Sequence, residues 1–208
     1  ESKLLGVSIC TQDLFDKQDF SQQSTIVDCT DYPSISITNC NFKNIDITPY
    51  DKGGAIYIKS TGSLIVHGST FDKCSAKSGA GIFAASDDAN ENLGWAALFH
   101  SHYCCYSSCS ASDYGSAVYA SATDLQLNYS STLNCPFTEK VEKSHGAQMD
   151  LRSNTFIASS HINSTYGKSD YCSALEYRTS KSGFFRFQNI IHHEGGYITA
   201  FSGLQTAV

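Results

Sequence analysis

One phrase keeps returning in this chain. GGAIYI at residues 53–58 reappears as GAGIFA from Gly79, GSAVYA from Gly115 and GAQMDL from Gly146, with weaker echoes from Cys172 (CSALEY) and Gly195 (GGYITA). The starts are 26, 36, 31, 26 and 23 residues apart. Helical repeats keep a more uniform length. An elastic period of this size fits a repeat of short strands whose loops absorb the insertions. Glycine ahead of a strand permits a corner that other residues resist. Alternation then puts Ile56 and Ile58 on one face and Ala55 and Tyr57 on the other. From repeat to repeat Ile56 becomes Ile82, Val118 and Met149, while Tyr57 becomes Phe83 and Tyr119. The aliphatic column predicts an interior that no single repeat can bury alone. The aromatic column predicts a stacked ladder.

A second phrase lies inside each interval. Its clearest form is SLIVHGSTFDKCSA, residues 63–76; SISITNCNFKNIDI precedes it, and YCCYSSCSA and LQLNYSSTLNC follow. Cys74, Cys109 and Cys135 thereby occupy one repeat position in successive repeats. The expected fold is all-β: a right-handed single-stranded parallel β-helix with irregular loop insertions. Residues 1–34 are off-pattern and read as an N-terminal cap or a first irregular coil, and 35–208 as the coils proper. The final strand phrase, YITAFSGLQTAV, implies that more chain or another molecule covers the end.

Only 16% of residues are charged and the net charge is −6. That balance disfavours nucleic acid and anionic membrane as partners. No apolar run is long enough for a transmembrane helix in this piece. Nine cysteines point to an oxidising, extracellular compartment, and an odd count leaves at least one thiol without an internal partner. Two readings of Cys74, Cys109 and Cys135 stand side by side. Vertical neighbours lie within disulfide range, yet in-register side chains point the same way and strain a bridge. The plainer reading is a buried column of small hydrophobes. Cys104 and Cys105, near a long insertion, are the better candidates for a disulfide. A metal reading of Cys105 and Cys109 with His100 and His102 lacks the second pair a zinc spacing requires, so no metal ligand is assigned. The sequons Asn128-Tyr-Ser and Asn163-Ser-Thr permit N-glycosylation. The polar stretch SDDANENLGW, residues 86–95, reads as a loop thrown out from the coil and a candidate binding loop through Asp87, Asp88, Asn90 and Trp95. PFTEKVEKSH at 136–145 is a second insertion.

Phe71-Asp-Lys-Cys74-Ser-Ala, Tyr106-Ser-Ser-Cys109-Ser-Ala and Gly53-Gly-Ala-Ile56, with the variants at 79 and 115, pair an FxxC/N phrase with a GGAI phrase once per repeat. This resembles the repeats of chlamydial polymorphic membrane proteins and, more closely, related surface proteins of trichomonad protists. The resemblance covers about residues 35–122; the phrases at 146 and 172 have lost the glycine pair. It implies a right-handed β-helix, secretion or surface display, adhesion for some members, and no cofactor.

Many parallel β-helices cleave acidic polysaccharides, which takes converging carboxylates, or calcium with a base. Here Asp113, Asp124 and Asp150 fall at different repeat positions, and the pectinase-type signatures are absent. His192-His193-Glu194 offers only His192 and Glu194 to one face of a strand. The expectation is therefore a non-catalytic, adhesin-like module that binds a protein or glycan on a cell surface. End-to-end stacking into a fibre or stalk is the alternative, and a carbohydrate-active enzyme with an unfamiliar site comes third.

Overall fold

The computed structural model describes residues 14–16, 19–21, 25–27, 34–47, 52–58, 62–84, 96–135, 146–163, 172–179, 184–187, 191–193 and 197–202. They form an all-β structure. In chain order the strands are β1 (Leu14–Asp16), β2 (Asp19–Ser21), β3 (Thr25–Val27), β4 (Ser34–Thr38), β5 (Asn41–Lys43), β6 (Ile56–Ile58), β7 (Ser63–His67), β8 (Thr70–Asp72), β9 (Ser75–Ser78) and β10 (Ile82–Ala84). They continue as β11 (Ala96–His102), β12 (Cys105–Ser107), β13 (Ser110–Tyr114), β14 (Val118–Leu133), β15 (Gly146–Asn163), β16 (Cys172–Thr179), β17 (Phe184–Phe187), β18 (Ile191–His193) and β19 (Tyr197–Ser202). No described residue is helical, and no helix is long and apolar enough to cross a membrane among them.

Among the described residues every strand pair is parallel, and partners lie one sequence repeat apart. We call each repeat a tier. A first ladder runs Leu14, Ser36, Ile65, His100, Gln126, Ile157, Arg186. A second runs Phe20, Phe42, Phe71, Tyr106, Thr132, Ile162, His192. A third runs Ile26, Tyr57, Phe83, Tyr119, Asp150, Glu176, Thr199. The third ladder reproduces the register expected from the glycine phrase, Ile56 on Ile82 on Val118 on Met149. A short pair, β9 with β13, lies between the second and third ladders. β1, β2 and β3, inside the off-pattern first 34 residues, pair in register with β4, β5 and β6.

The first and second ladders stay six residues apart, as Ser36 to Phe42, Ile65 to Phe71, His100 to Tyr106 and Gln126 to Thr132 show. Insertions fall elsewhere. The exception is β15, where the register with β14 shifts between Asn128 and Ser131.

Alternation drives the packing. In β4 and β7 the burial pattern puts Ile35, Ile37, Leu64 and Val66 inside and Ser36, Thr38, Ile65 and His67 outside. Inside, Phe20, Phe42, Phe71 and Tyr106 stack with centroids 4.8, 4.9 and 4.8 Å apart, the spacing of neighbouring strands. Each stacked pair adds about 0.5–1.5 kcal/mol to the burial of its rings. The change from phenylalanine to Tyr106 brings a hydroxyl into the core. Ser101, where the tier before has Val66, meets it: Ser101 Oγ lies 3.0 Å from Tyr106 Oη and 3.2 Å from Ser130 Oγ. A buried hydroxyl left unmatched costs about 1–3 kcal/mol, so the two changes belong together. The aromatic column of the third ladder is a stack as expected, Phe83 on Tyr119 at 4.8 Å and Tyr57 tilted on Phe83 at 5.5 Å. Phe83 and Tyr119 are buried, and Lys52 Nζ sits 5.1 Å from the Phe83 centroid.

Each tier turns through left-handed residues. Between the first and second ladders these are Asn39, Gly68, Tyr103 and Tyr129; after the second, Asn44, Lys73, Ser108 and Asn134; before the third, Gly53, Gly79 and Gly115. The last set answers why the recurring phrase begins with glycine. At Gly79, φ is +60° and a Cβ would lie 2.5 Å from the Ile82 carbonyl oxygen. Gly54 serves closeness instead: a Cβ there would run into the Ala80 carbonyl of the next tier.

Candidate functional site

The outer face of the first ladder is where unusual residues gather. β7, β11 and the middle of β14 lie side by side there, with His67 opposite His102, His102 opposite Asn128, and His100 opposite Gln126. Because neighbours at i and i+2 share a face, His100 and His102 stand on the same side of β11. Their rings meet edge to face at 5.5 Å and 85°. His100 Nε2 is 3.1 Å from Asp124 Oδ2. Gln126 Nε2 donates to the same carboxylate oxygen at 3.4 Å, and its Oε1 accepts from Asn128 Nδ2 at 3.4 Å. Asn128 Nδ2 is also 3.1 Å from His102 Nδ1. Burial, and after it the neighbouring His100 and His67, hold the His102 imidazole below its ordinary pKa.

At the edge of this face lie two aromatic corner residues. Tyr103 and Tyr129 have φ of 54° and 53° and are 58% and 59% exposed. They stack on each other at 5.0 Å and 8°. Tyr103 also takes the His67 ring edge-on at 5.4 Å. A tyrosine in the left-handed region costs about 1–2 kcal/mol relative to glycine, which fills the same place at Gly68. Backbone strain of this kind concentrates at functional surfaces. The result is a flat plate of imidazoles, amides and one carboxylate bordered by two exposed rings.

Behind the corners run the thiols. Cys74, Cys109 and Cys135 do share one position, each fully buried, and all three are free thiols. Each Sγ lies near the carbonyl two residues back and the carbonyl of the preceding tier's aromatic residue: Cys109 reaches Ser107 and Phe71, Cys135 reaches Leu133 and Tyr106, both within 3.6 Å. Burial first, then contact with Cys109, pushes the Cys135 thiol far up. For Cys109 a hydrogen bond with Cys135 favours the thiolate, and one with Cys74 together with burial outweighs it, so its pKa also rises well. These groups are held as thiols, small hydrophobes with weak donors.

Cys104 and Cys105, expected as a bridge, require correction: both are free. Adjacent strand residues face opposite ways, so Cys104 is 2% exposed and Cys105 lies half-buried on the other side. Cys104 belongs to a corner column with Cys40, Ser69 and Ser130, in which sulfur and oxygen alternate as donors. Cys40 Sγ donates to Thr38 O, Ser69 Oγ to His67 O, Cys104 Sγ to His102 O and Ser130 Oγ to Asn128 O, at 3.1–3.4 Å. The cysteine-rich composition here reflects corner packing at these positions.

Of the other expected site residues, Asn128 falls within the plate, its Nδ2 engaged by Gln126 Oε1 and beside His102 Nδ1. Asn163 ends β15 and pairs with His193. His192 is opposite Ile162, and Glu194 lies outside the described residues. The loop with Asp87, Asp88, Asn90 and Trp95, and the insertion at 136–145, also lie outside them. Asp113 pairs with Lys77 at 3.3 Å, on another face from Asp124. Cys109 is turned into the core, away from outward His100 and His102, so the zinc set weighed from spacing is not assembled. Sequence reasoning missed His67, Tyr103 and Tyr129. The same 35-residue step that takes Cys74 to Cys109 takes His67 to His102, so the signal was there.

Scans against protein-family models, curated proteins and solved structures return no match.

Proposed function

We propose that the chain is a right-handed single-stranded parallel β-helix that works as a non-catalytic, adhesin-like binding module displayed outside the cell. Its contact surface is the plate formed by His67, His100, His102, Gln126 and Asn128 with the Tyr103–Tyr129 edge. The one-repeat pairing interval and the three ladders support the helix. The observation that carries the function is the pair of exposed, mutually stacked tyrosines held in left-handed backbone, where glycine would be easier. Tyrosine offers a rigid apolar ring and a hydroxyl at low entropic cost, which suits a glycan or protein contact. The polar row beside it supplies donors and acceptors at about 4.8 Å intervals along the stack.

The test is binding of the chain to printed glycans and to immobilised cell-surface proteins, with Tyr103→Gly/Tyr129→Gly alongside. The expected result is capture by at least one surface, weakened tenfold or more in the double variant while its melting temperature holds or rises. Equal capture of both chains sinks this surface as the contact.

A second reading has its own observation. Parallel pairing repeats in register from tier to tier, so a second copy can add to the stack by the same backbone bonds and extend it into a fibre. Light scattering of the native chain separates the readings, a long rod favouring assembly and a monomer the binding module.

A further inference from the structure

We propose that His100 and His102, joined by His67 from the neighbouring rung, bind a divalent transition-metal ion of the zinc, copper or nickel class on the outer face of the first ladder. Imidazole nitrogens suit these ions, whereas magnesium and calcium take oxygen ligands. Two imidazoles bound at 2.0–2.1 Å to one tetrahedral ion have ring centroids about 5 Å apart. The His100 and His102 centroids are already 5.5 Å apart, on the same face of one strand. His67 is the register partner of His102, so a third imidazole stands one strand away.

The groups behind the ligands fit the same role. Metal-bound histidines typically pass their second ring N–H to a carboxylate or carbonyl, which fixes the ring. His100 is placed to donate Nε2–H to Asp124 Oδ2, which leaves Nδ1 for the ion. Beside His102 Nδ1 is the Asn128 carboxamide. A half-turn of that amide presents its oxygen to Nδ1–H and frees Nε2 for the ion. The site is not closed as it stands: among the described residues no three His, Cys, Asp or Glu side chains surround one point. His67 instead packs edge-on against Tyr103. Ion binding turns His67 off that ring, and solvent completes the coordination.

The experiment is calorimetric titration of the intact, chelator-treated chain with ZnCl2, NiCl2 and CaCl2. Zinc and nickel should each bind at one ion per chain through this site, and calcium should not. His100→Ala/His102→Ala should abolish that binding, and His67→Ala should weaken it. Asn128→Asp, which puts a carboxylate behind His102, should tighten zinc by about tenfold, and Asp124→Asn should loosen it by a similar factor. These side chains lie outside the core, though His100 is only 15% exposed, so circular dichroism is run on every variant to check that it is folded. Zinc retained undiminished by the double variant places the ion on other residues and overturns the proposal. So does the absence of zinc binding by the parent chain. Should the double variant misfold, an Asn128→Asp chain that binds zinc no more tightly than the parent also overturns it.

Discussion

Two corners of the same tier use the same backbone and opposite side chains. Before the third ladder, Gly53, Gly79 and Gly115 turn the chain with φ of 72°, 60° and 54°. Between the first and second ladders, Asn39, Gly68, Tyr103 and Tyr129 do so with φ of 53–61°. The glycine corner lies in the core, where a side chain would strike the strand it introduces. At the tyrosine corner the side chain leaves for solvent, so only the intrinsic strain of the left-handed region opposes it. The glycines are therefore a requirement of folding, and the tyrosines are retained against a folding preference. The corner after the second ladder also holds non-glycine residues in left-handed backbone, Asn44, Lys73, Ser108 and Asn134, so what sets the tyrosine corner apart is the stack of its two exposed rings.

The largest way to break this contrast is Gly79→Ala. The left-handed strain costs about 1–2 kcal/mol, and the contact with the Ile82 carbonyl adds to it. Denaturant unfolding should show a loss above that range. A loss below about 0.5 kcal/mol would mean the corner relaxes freely and the two corners do not differ in kind.

Alkaline pH gives the next effect. Burial lifts Cys104, Cys135 and Tyr106, and the Cys74 contact with burial lifts Cys109. In the native state these groups keep protons that the unfolded chain releases above about pH 8.5 for thiols and about 10 for tyrosine. Stability should be level below that window and fall as pH rises through it. A melting temperature unchanged between pH 8 and 10.5 would contradict the buried placement of the thiols.

The smallest effect sharpens the tyrosine corner. Cys104→Ser should change stability by no more than about 1 kcal/mol, because Ser69 and Ser130 already fill that position and donate to the same carbonyl type. Cys109→Ser, in a column shared with Ile45, Cys74 and Cys135, should cost more. Equal costs would show that the two columns do not differ in their need for a donor.

Much of this fold was legible in the chain. The steps from Ile56 to Ile82 to Val118, and from Cys74 to Cys109 to Cys135, follow from counting between like phrases, because an in-register stack repeats its core residue by residue. Disulfides at Cys104 and Cys105 were the poorer inference. Cysteine count speaks to compartment only when cysteines serve as cross-links, and here a serine at the matching position of the next tier was the better clue. The tyrosine corner was illegible for a local reason. Tyrosine has no propensity for left-handed backbone, so only alignment of Tyr103 and Tyr129 with Asn39 and Gly68 reveals the turn. The His100–Asp124 pair likewise joins neighbouring strands of successive tiers, two register positions apart, and is visible only once the register is fixed.

The six-residue step between the first two ladders, kept from β4 through β14, makes the outer face modular. Loop growth between the other strands leaves the plate untouched, and duplicating one whole tier would lengthen it by a single rung of about 4.8 Å. A lineage can thus adjust the reach of such a surface in counted increments, keeping its chemistry, by copying a segment of gene rather than redesigning a site.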